Sequence, residues 1–178
     1  RFLLVDGGTA DRGQEVAAYL RRRGAASLEY VFNTHPDADH IGGLRTVLEE
    51  FGVSHYCAPA LPEELVPSTG EYRGVQSALR EKKLETETVS AGREWRVGAL
   101  EIRALGPVRP GGSANDNSIV LKLTYGGVRF LLAGDAEREE ERDLLSSGQD
   151  LSADVLKVAH HGSDTSSTRE FLDAVKPR

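Results

Sequence analysis

The sequence predicts an α/β protein of the α+β kind, built from mixed sheets flanked by helices and not from one doubly wound parallel sheet. Two observations predict it. Apolar strand patterns alternate with amphipathic helix patterns from residue 2 to about residue 83, and short strands then follow one another directly from residue 86 to residue 133. A last strand and a last helix close the chain.

Taken in order, Phe2-Leu3-Leu4-Val5 reads as a buried strand that stops at the turn signal Asp6-Gly7-Gly8. Residues 13 to 23 read as an amphipathic helix with Val16, Tyr19 and Leu20 on one face, closed by Gly24. Residues 28 to 32 form a second strand, followed by a polar loop over 33 to 40. A helix over 44 to 51, a strand over 53 to 58, a proline-rich stretch over 59 to 70 and a helix over about 72 to 83 come next.

From Thr86 the pattern changes to strands at 86–89, 93–97, 99–105, 118–125 and 128–133, with Gly126-Gly127 as a hairpin signal. Residues 136 to 146 return to helix. Residues 154 to 159 are a last strand ending at His160-His161-Gly162-Ser163, and residues 168 to 175 are a helix with Ser166 or Ser167 as its cap.

With 178 residues, 39% hydrophobic and 28% charged, the chain is long enough to bury one real core, and a single domain over 1–178 is the expectation. No apolar run approaches the roughly 20 residues that cross a bilayer, and no signal-peptide pattern opens the chain. Arg1 leads straight into a strand and Pro177-Arg178 follows directly on a helix, so both ends read as cut from something longer. Cys57, the sole cysteine, excludes an internal disulfide and a cysteine-rich zinc site and reads as a packed strand residue. The net charge of -6 argues against a strongly basic nucleic-acid-binding surface. A pair of bound divalent cations would offset most of that charge and leaves room for a phosphate substrate.

The segment His35-Pro36-Asp37-Ala38-Asp39-His40 places two imidazoles and two carboxylates in six residues after a strand, which is the density of a metal site. The competing reading is a polar loop whose aspartates form turns and cap the next helix; such a loop needs aspartates but not two histidines. Four of the five histidines fall in two tight clusters, 35/40 and 160/161, each just after a strand. His55 stands alone inside a strand and reads as a packed or surface residue. Between the clusters, Phe130-Leu131-Leu132-Ala133 ends in Gly134-Asp135, presenting a carboxylate from a strand end. Alone that pair is an ordinary turn signal; beside the histidine clusters it reads as a bridging ligand.

The order strand-DGG, strand-THPDADH, strand-GDA, strand-HHGS resembles the metallo-β-lactamase superfamily. That resemblance implies a four-layered αββα sandwich with a two-metal site along one edge. More narrowly, Thr34 through Leu44, Asn115 to Ser118, Leu132 through Glu137 and Leu156 through Ser163 are similar to the hydrolase-like domain of ComEC-type DNA-internalisation competence proteins. The resemblance implies that His35 and Asp37 bind one metal, Asp39 and His40 the second, and Asp135 bridges them. It also implies that one of His160 and His161 completes the second metal's ligand set; His161 is taken as the ligand and His160 as an acid or phosphate-stabilising group.

Related enzymes more often carry histidine where Asp37 stands, and a further histidine where Asn115-Asp116-Asn117 stand. Carboxylate and amide in place of imidazole make the site harder, which favours manganese over zinc, with magnesium also possible. Asn115 and Asn117 are either ligands or substrate-orienting groups, or ordinary loop residues before a strand. Asp6 is expected to hydrogen-bond the metal loop from behind, with a plain turn aspartate as the alternative. Lys157 is either a phosphate-facing cation or a surface lysine.

The function implied is a phosphodiesterase, with Asp39 orienting the attacking water and single-stranded DNA as substrate during DNA uptake. The alternatives are a small-molecule hydrolase of the same fold, acting on a phosphodiester, thioester or lactone, and a non-catalytic metal- or DNA-binding domain. By resemblance the parent is a bacterial membrane protein with this domain appended, and no partner protein is implied.

Overall fold

Strands Leu3–Val5 (β1), Ser27–Phe32 (β2), Gly52–Pro59 (β3) and Thr86–Val89 (β4) form one sheet in that order, with β1 parallel to β2 and β2 parallel to β3. A computed structural model describes residues 1–178, and this sheet with its helices makes up the first of two compact units, Arg1–Ala58 with Glu63–Thr88. Parallel neighbours cannot be joined by a tight turn. Helix α1 (Gly13–Arg22) therefore crosses from β1 to β2, α2 (Ala38–Ile41) and α3 (Leu44–Glu50) cross from β2 to β3, and α4 (Gly70–Lys82) follows β3.

The core of this unit gathers Ala17 and Leu20 of α1, Leu28 and Val31 of β2, Ile41, Leu44, Val47 and Leu48 of α2 and α3, Tyr56 of β3, and Val75, Ala78 and Leu79 of α4. Truncating a side chain such as Leu48, buried to 1%, to alanine costs about 2–5 kcal/mol. Tyr19, expected on the buried face of α1, is 52% exposed, because the buried stripe runs through Gly13, Ala17 and Leu20. Its ring lies instead beneath the Arg23 guanidinium at 5.6 Å. Cys57 is buried as expected.

The second unit is Pro59–Pro62 with Val89–Arg178. Its sheet runs Glu94–Val97 (β5), Leu100–Gly106 (β6), Val120–Tyr125 (β7), Val128–Leu132 (β8) and Val155–Lys157 (β9). Pairing is antiparallel through β8, and β9 is parallel to β8. Gly126 and Gly127 turn the expected hairpin with φ of 57° and 83°, values that suit glycine. Helix α5 (Arg138–Ser146) crosses from β8 to β9 and α6 (Arg169–Val175) closes the chain. Leu105, Val120, Leu131, Leu144, Leu151, Phe171 and Val175 fill the core beneath them.

Local chemistry moved several boundaries. Residues 38 to 41 form a helical turn and not the end of a polar loop. Strand β7 begins at Val120, because Asn115–Asn117 form a 3-10 turn before it. Strand β9 stops at Lys157, and Ala159–Gly162 are a tight turn in which His160 and His161 are left-handed. The cap of α6 is neither Ser166 nor Ser167: Thr168 Oγ1 accepts from the Phe171 N–H at 3.4 Å. Buried Glu141 accepts from the N–H groups of Ser167 and Thr168, which satisfies the donors leading into that helix.

Candidate metal centre

In the first unit, parallel pairing brings two strand exits to one edge. The Asp6 N–H donates to the Phe32 carbonyl at 2.8 Å, so the loops after β1 and β2 leave side by side. Open parallel sheets place their ligand sites at such carboxyl ends. Asp6 has a φ of 60°, a left-handed value that a short polar side chain tolerates. Its Oδ1 accepts from the Thr34 N–H and its Oδ2 from the Thr34 hydroxyl, both at 2.8 Å, and Oδ2 lies 2.8 Å from His40 Nδ1. An ionised carboxylate only accepts. His40 therefore carries its proton on Nδ1 and keeps the lone pair on Nε2. Thr34 has spent its one proton on Asp6, so His35 Nδ1, 3.1 Å from Thr34 Oγ1, is the donor there and its Nε2 is also basic.

Glycines make this approach possible. The Gly7 N–H donates to the His40 carbonyl at 2.8 Å and the Gly43 N–H to the Gly8 carbonyl at 2.9 Å. A Cβ on Gly7 would stand 2.6 Å from the Leu44 nitrogen, and one on Gly43 would collide with the Gly7 carbonyl.

The His35 and His40 side chains are buried to 0% and 3% exposure, with ring centroids 4.1 Å apart, whereas the Asp37 and Asp39 side chains are 48% exposed. Asp37 occupies the N-cap position of α2 yet makes no capping bond. That counts against the turn-and-cap reading of the segment. His35 Nε2 lies 3.8 Å from Asp37 Oδ2, and His40 Nε2 lies 3.7 Å from Asp39 Oδ2.

The second unit repeats the arrangement. Parallel β8 and β9 exit together, and the His160 N–H donates to the Gly134 carbonyl at 3.2 Å. The Asp135 N–H donates to Ser118 Oγ at 3.1 Å, and its side chain is 4% exposed. His161 Nε2 lies 3.5 Å from Asp135 Oδ2, and His160 Nε2 lies 4.0 Å from the same oxygen. His160 turns Nδ1 to Glu137 Oε1 at 2.9 Å.

These separations fit a cation. Two ligand atoms each about 2.1 Å from one metal ion stand roughly 3–4 Å apart, depending on the angle between them. Asp39 with His40, and Asp135 with His161, each offer one imidazole nitrogen and one carboxylate oxygen at that spacing. The donors are nitrogen and hard oxygen, with no sulfur among them. That set suits a divalent cation.

Not every expected site residue faces a ligand. Asn117 is fully buried with its amide committed to the loop: Oδ1 accepts from the Gly111 N–H at 3.1 Å, while Nδ2 donates to the carbonyls of Gly111 at 3.1 Å and Ser113 at 2.6 Å. Its amide builds the loop, which favours the ordinary-loop alternative of its two readings. Asn115 is different: its Nδ2 faces Glu137 Oε1 at 3.4 Å, and its Oδ1 is buried without a hydrogen-bond partner. Lys157 is an exposed side chain at the end of β9. His55 stacks on Tyr30 at 4.6 Å and pairs with Glu87, a packed and partly exposed residue as expected.

Sequence reasoning missed Thr34, Ser118, Asp116 and Glu137. Asp116 Oδ1 accepts from the N–H groups of Glu137 and Glu140, each at 3.2 Å, and so caps α5 from a distant loop. All four lie in the segments that carry the family resemblance, which was the signal available for them.

Comparison with known proteins gives a consistent result. The model of the metallo-beta-lactamase superfamily matches residues 1–178. The chain is 32% identical over 161 residues to ComE operon protein 3 of Bacillus subtilis, covering 90% of this chain and 20% of that protein. It is 30% identical over 180 residues to competence protein ComA of Neisseria gonorrhoeae, covering 99% and 23%. The chain thus spans about a fifth of the length of these relatives. Among solved structures, metallo-beta-lactamase SMB-1 bound to 2-mercaptoethanesulfonate superposes with a TM-score of 0.61 at 20% identity, covering 89% of this chain and 69% of that one. At that identity the likeness shows the fold.

Proposed function

Because the chain belongs to the metallo-β-lactamase superfamily, we propose that it is a divalent-metal-dependent phosphodiesterase, a DNase acting on one strand of DNA during uptake in competence. The observation that supports this reading best is the donor set, in which Asp37, Asp39 and Asp135 stand beside imidazole nitrogens at 3.5–3.8 Å. A set with as many carboxylates as imidazoles suits manganese and phosphate chemistry. The similarity to competence proteins supports DNA as the substrate class.

In this reading His35 and Asp37 would hold one cation and Asp39, His40 and His161 a second, with Asp135 as a ligand that both would share; the assignment rests on motif order within the family. When bound, the cations supply Lewis acidity toward phosphate oxygens and lower the pKa of water. The chain's own groups do the rest. Asp39 orients the attacking water through its exposed carboxylate, and His160, once its Nε2 lone pair has taken up a proton, stabilises the phosphate or protonates the leaving oxygen. Asp6 and Thr34 hold the two buried imidazoles with Nε2 free of protons. Asn115 offers a carbonyl oxygen to cation or substrate. No helix of the chain is long and apolar enough to cross a membrane. In this proposal membrane attachment comes from other parts of a longer parent.

The test is cleavage of single-stranded DNA by the full chain with manganese, with Asp39→Ala as control. Cleavage that the control loses is the expected result. Equal behaviour of the two proteins sinks the nuclease reading. Turnover of thioesters or lactones alone assigns the chain to small-molecule hydrolysis, and fewer than two metal ions per chain without turnover assigns it to binding.

A further inference from the structure

Glu137 has no role in the site so far, yet three side chains converge on one of its oxygens. Oε1 lies 2.9 Å from His160 Nδ1, accepts the Thr165 hydroxyl at 2.9 Å and faces Asn115 Nδ2 at 3.4 Å. Its backbone is fixed from the other side, with its N–H donating to Asp116 Oδ1 at 3.2 Å. Glu137 stands at the N-cap position of α5 but makes no capping bond, because its side chain is turned to these three groups.

A carboxylate accepts and does not donate, so each neighbour must present a proton to it. For His160 that is Nδ1–H, which leaves the lone pair on Nε2, the nitrogen that lies 4.0 Å from Asp135 Oδ2. For Asn115 it is the NH₂ group, which turns Oδ1 away from Glu137 into a buried position with no hydrogen-bond partner. One carboxylate thus sets the direction of two acceptor atoms from two different loops.

The backbone gives independent support. His160 and His161 have φ of 45° and 52°, left-handed values that bulky L residues hold only where the surroundings fix them, and such outliers cluster at functional sites. The bond from His160 Nδ1 to Glu137 is one of the contacts that fix this turn.

We propose that Glu137 is a positioning residue that fixes the tautomer of His160 and the amide orientation of Asn115 together, so that His160 Nε2 and Asn115 Oδ1 are presented as lone-pair donors. What they receive rests on the phosphodiesterase reading; the tautomer itself does not.

The test is nitrogen-15 spectroscopy of histidine-labelled full chain without metal at about pH 8, above the ordinary imidazole pKa of about 6.5, with His160→Gln to assign the signals. The expected wild-type result is a protonated Nδ1 and an unprotonated Nε2 on His160. Glu137→Ala is expected to move the proton toward Nε2, and Glu137→Gln, whose carbonyl still accepts, to restore the wild-type pattern. Manganese affinity by equilibrium dialysis should fall about 10-fold in Glu137→Ala, through the loss of Asn115 orientation, and largely recover in Glu137→Gln. A wild-type His160 protonated on Nε2, or an unchanged tautomer in Glu137→Ala, overturns the proposal. The wild-type spectrum alone decides the first point if Glu137→Ala does not fold. DNA cleavage plays no part in these readouts, so the nuclease reading can fail while this one stands.

Discussion

Asp6 and His40 lie 34 residues apart in the chain and 2.8 Å apart in the structure, joined through Asp6 Oδ2 and His40 Nδ1. Asparagine tolerates the left-handed backbone at position 6, so Asp6→Asn isolates the chemistry of the carboxylate. Its Oδ1 would serve the Thr34 N–H, and its NH₂ group would then face His40 Nδ1. His40 would have to move its proton to Nε2. Manganese affinity, read by equilibrium dialysis, should fall about 10- to 100-fold. An unchanged affinity would show that His40 is not a ligand or that Asp6 does not orient it.

Asn115 and Asn117 share one 3-10 turn and should respond in opposite ways. Asn117→Ala removes three bonds to loop backbone in a fully buried place. It should cost about 2–4 kcal/mol in urea unfolding. Asn115→Ala loses one long bond and should cost less than about 1 kcal/mol, while weakening manganese binding about 10-fold. Equal losses of stability would count against the separation of roles.

Glu140 carries a pH dependence of its own. Its carboxyl is 1% exposed, and burial, outweighing the Val108 N–H that it accepts, raises its pKa from 4.5 to about 8. The folded state therefore binds this proton more tightly than the unfolded state. The contribution is fully present below about pH 4.5 and is lost as pH rises toward 8, at about 1.4 kcal/mol per pH unit within that window. Glu140→Gln stays neutral throughout. Urea titrations at pH 5, 6, 7 and 8 should show the wild type losing stability relative to Glu140→Gln with each step; parallel curves would refute the buried neutral acid.

Asp37 tests the preference among metals. Its side chain is 48% exposed, so histidine can be accommodated there without repacking the core. Imidazole is softer than carboxylate. Asp37→His should raise zinc affinity relative to manganese by about 10-fold or more in competition dialysis, and lower manganese-supported DNA cleavage. A ratio that does not move would place Asp37 outside the ligand set.

Much of this protein could be read without its structure. Six consecutive residues carry two histidines and two aspartates, and their ligand chemistry is local whatever surrounds them. Strand and helix periodicities located the elements to within a few residues, because each buries one face. The Gly126-Gly127 hairpin followed from glycine's freedom at positive φ.

Tertiary structure decided which atoms of those residues are available. No local pattern joins Asp6 to His40; the parallel pairing of β1 with β2 does. The left-handed turn at His160 and His161 carries no glycine signal at either residue, since it is held by bonds to Gly134 and Glu137. Asn117 meets the backbone of Gly111 and Ser113, whereas Asn115 meets the Glu137 carboxylate. The sequence by itself determined the kinds of ligand and their order. The direction of the lone pairs on His40, His160 and Asn115 was decided by partners 22 to 34 residues away, because a hydrogen-bonded carboxylate fixes a neighbouring imidazole or amide only once the chain has folded it into place.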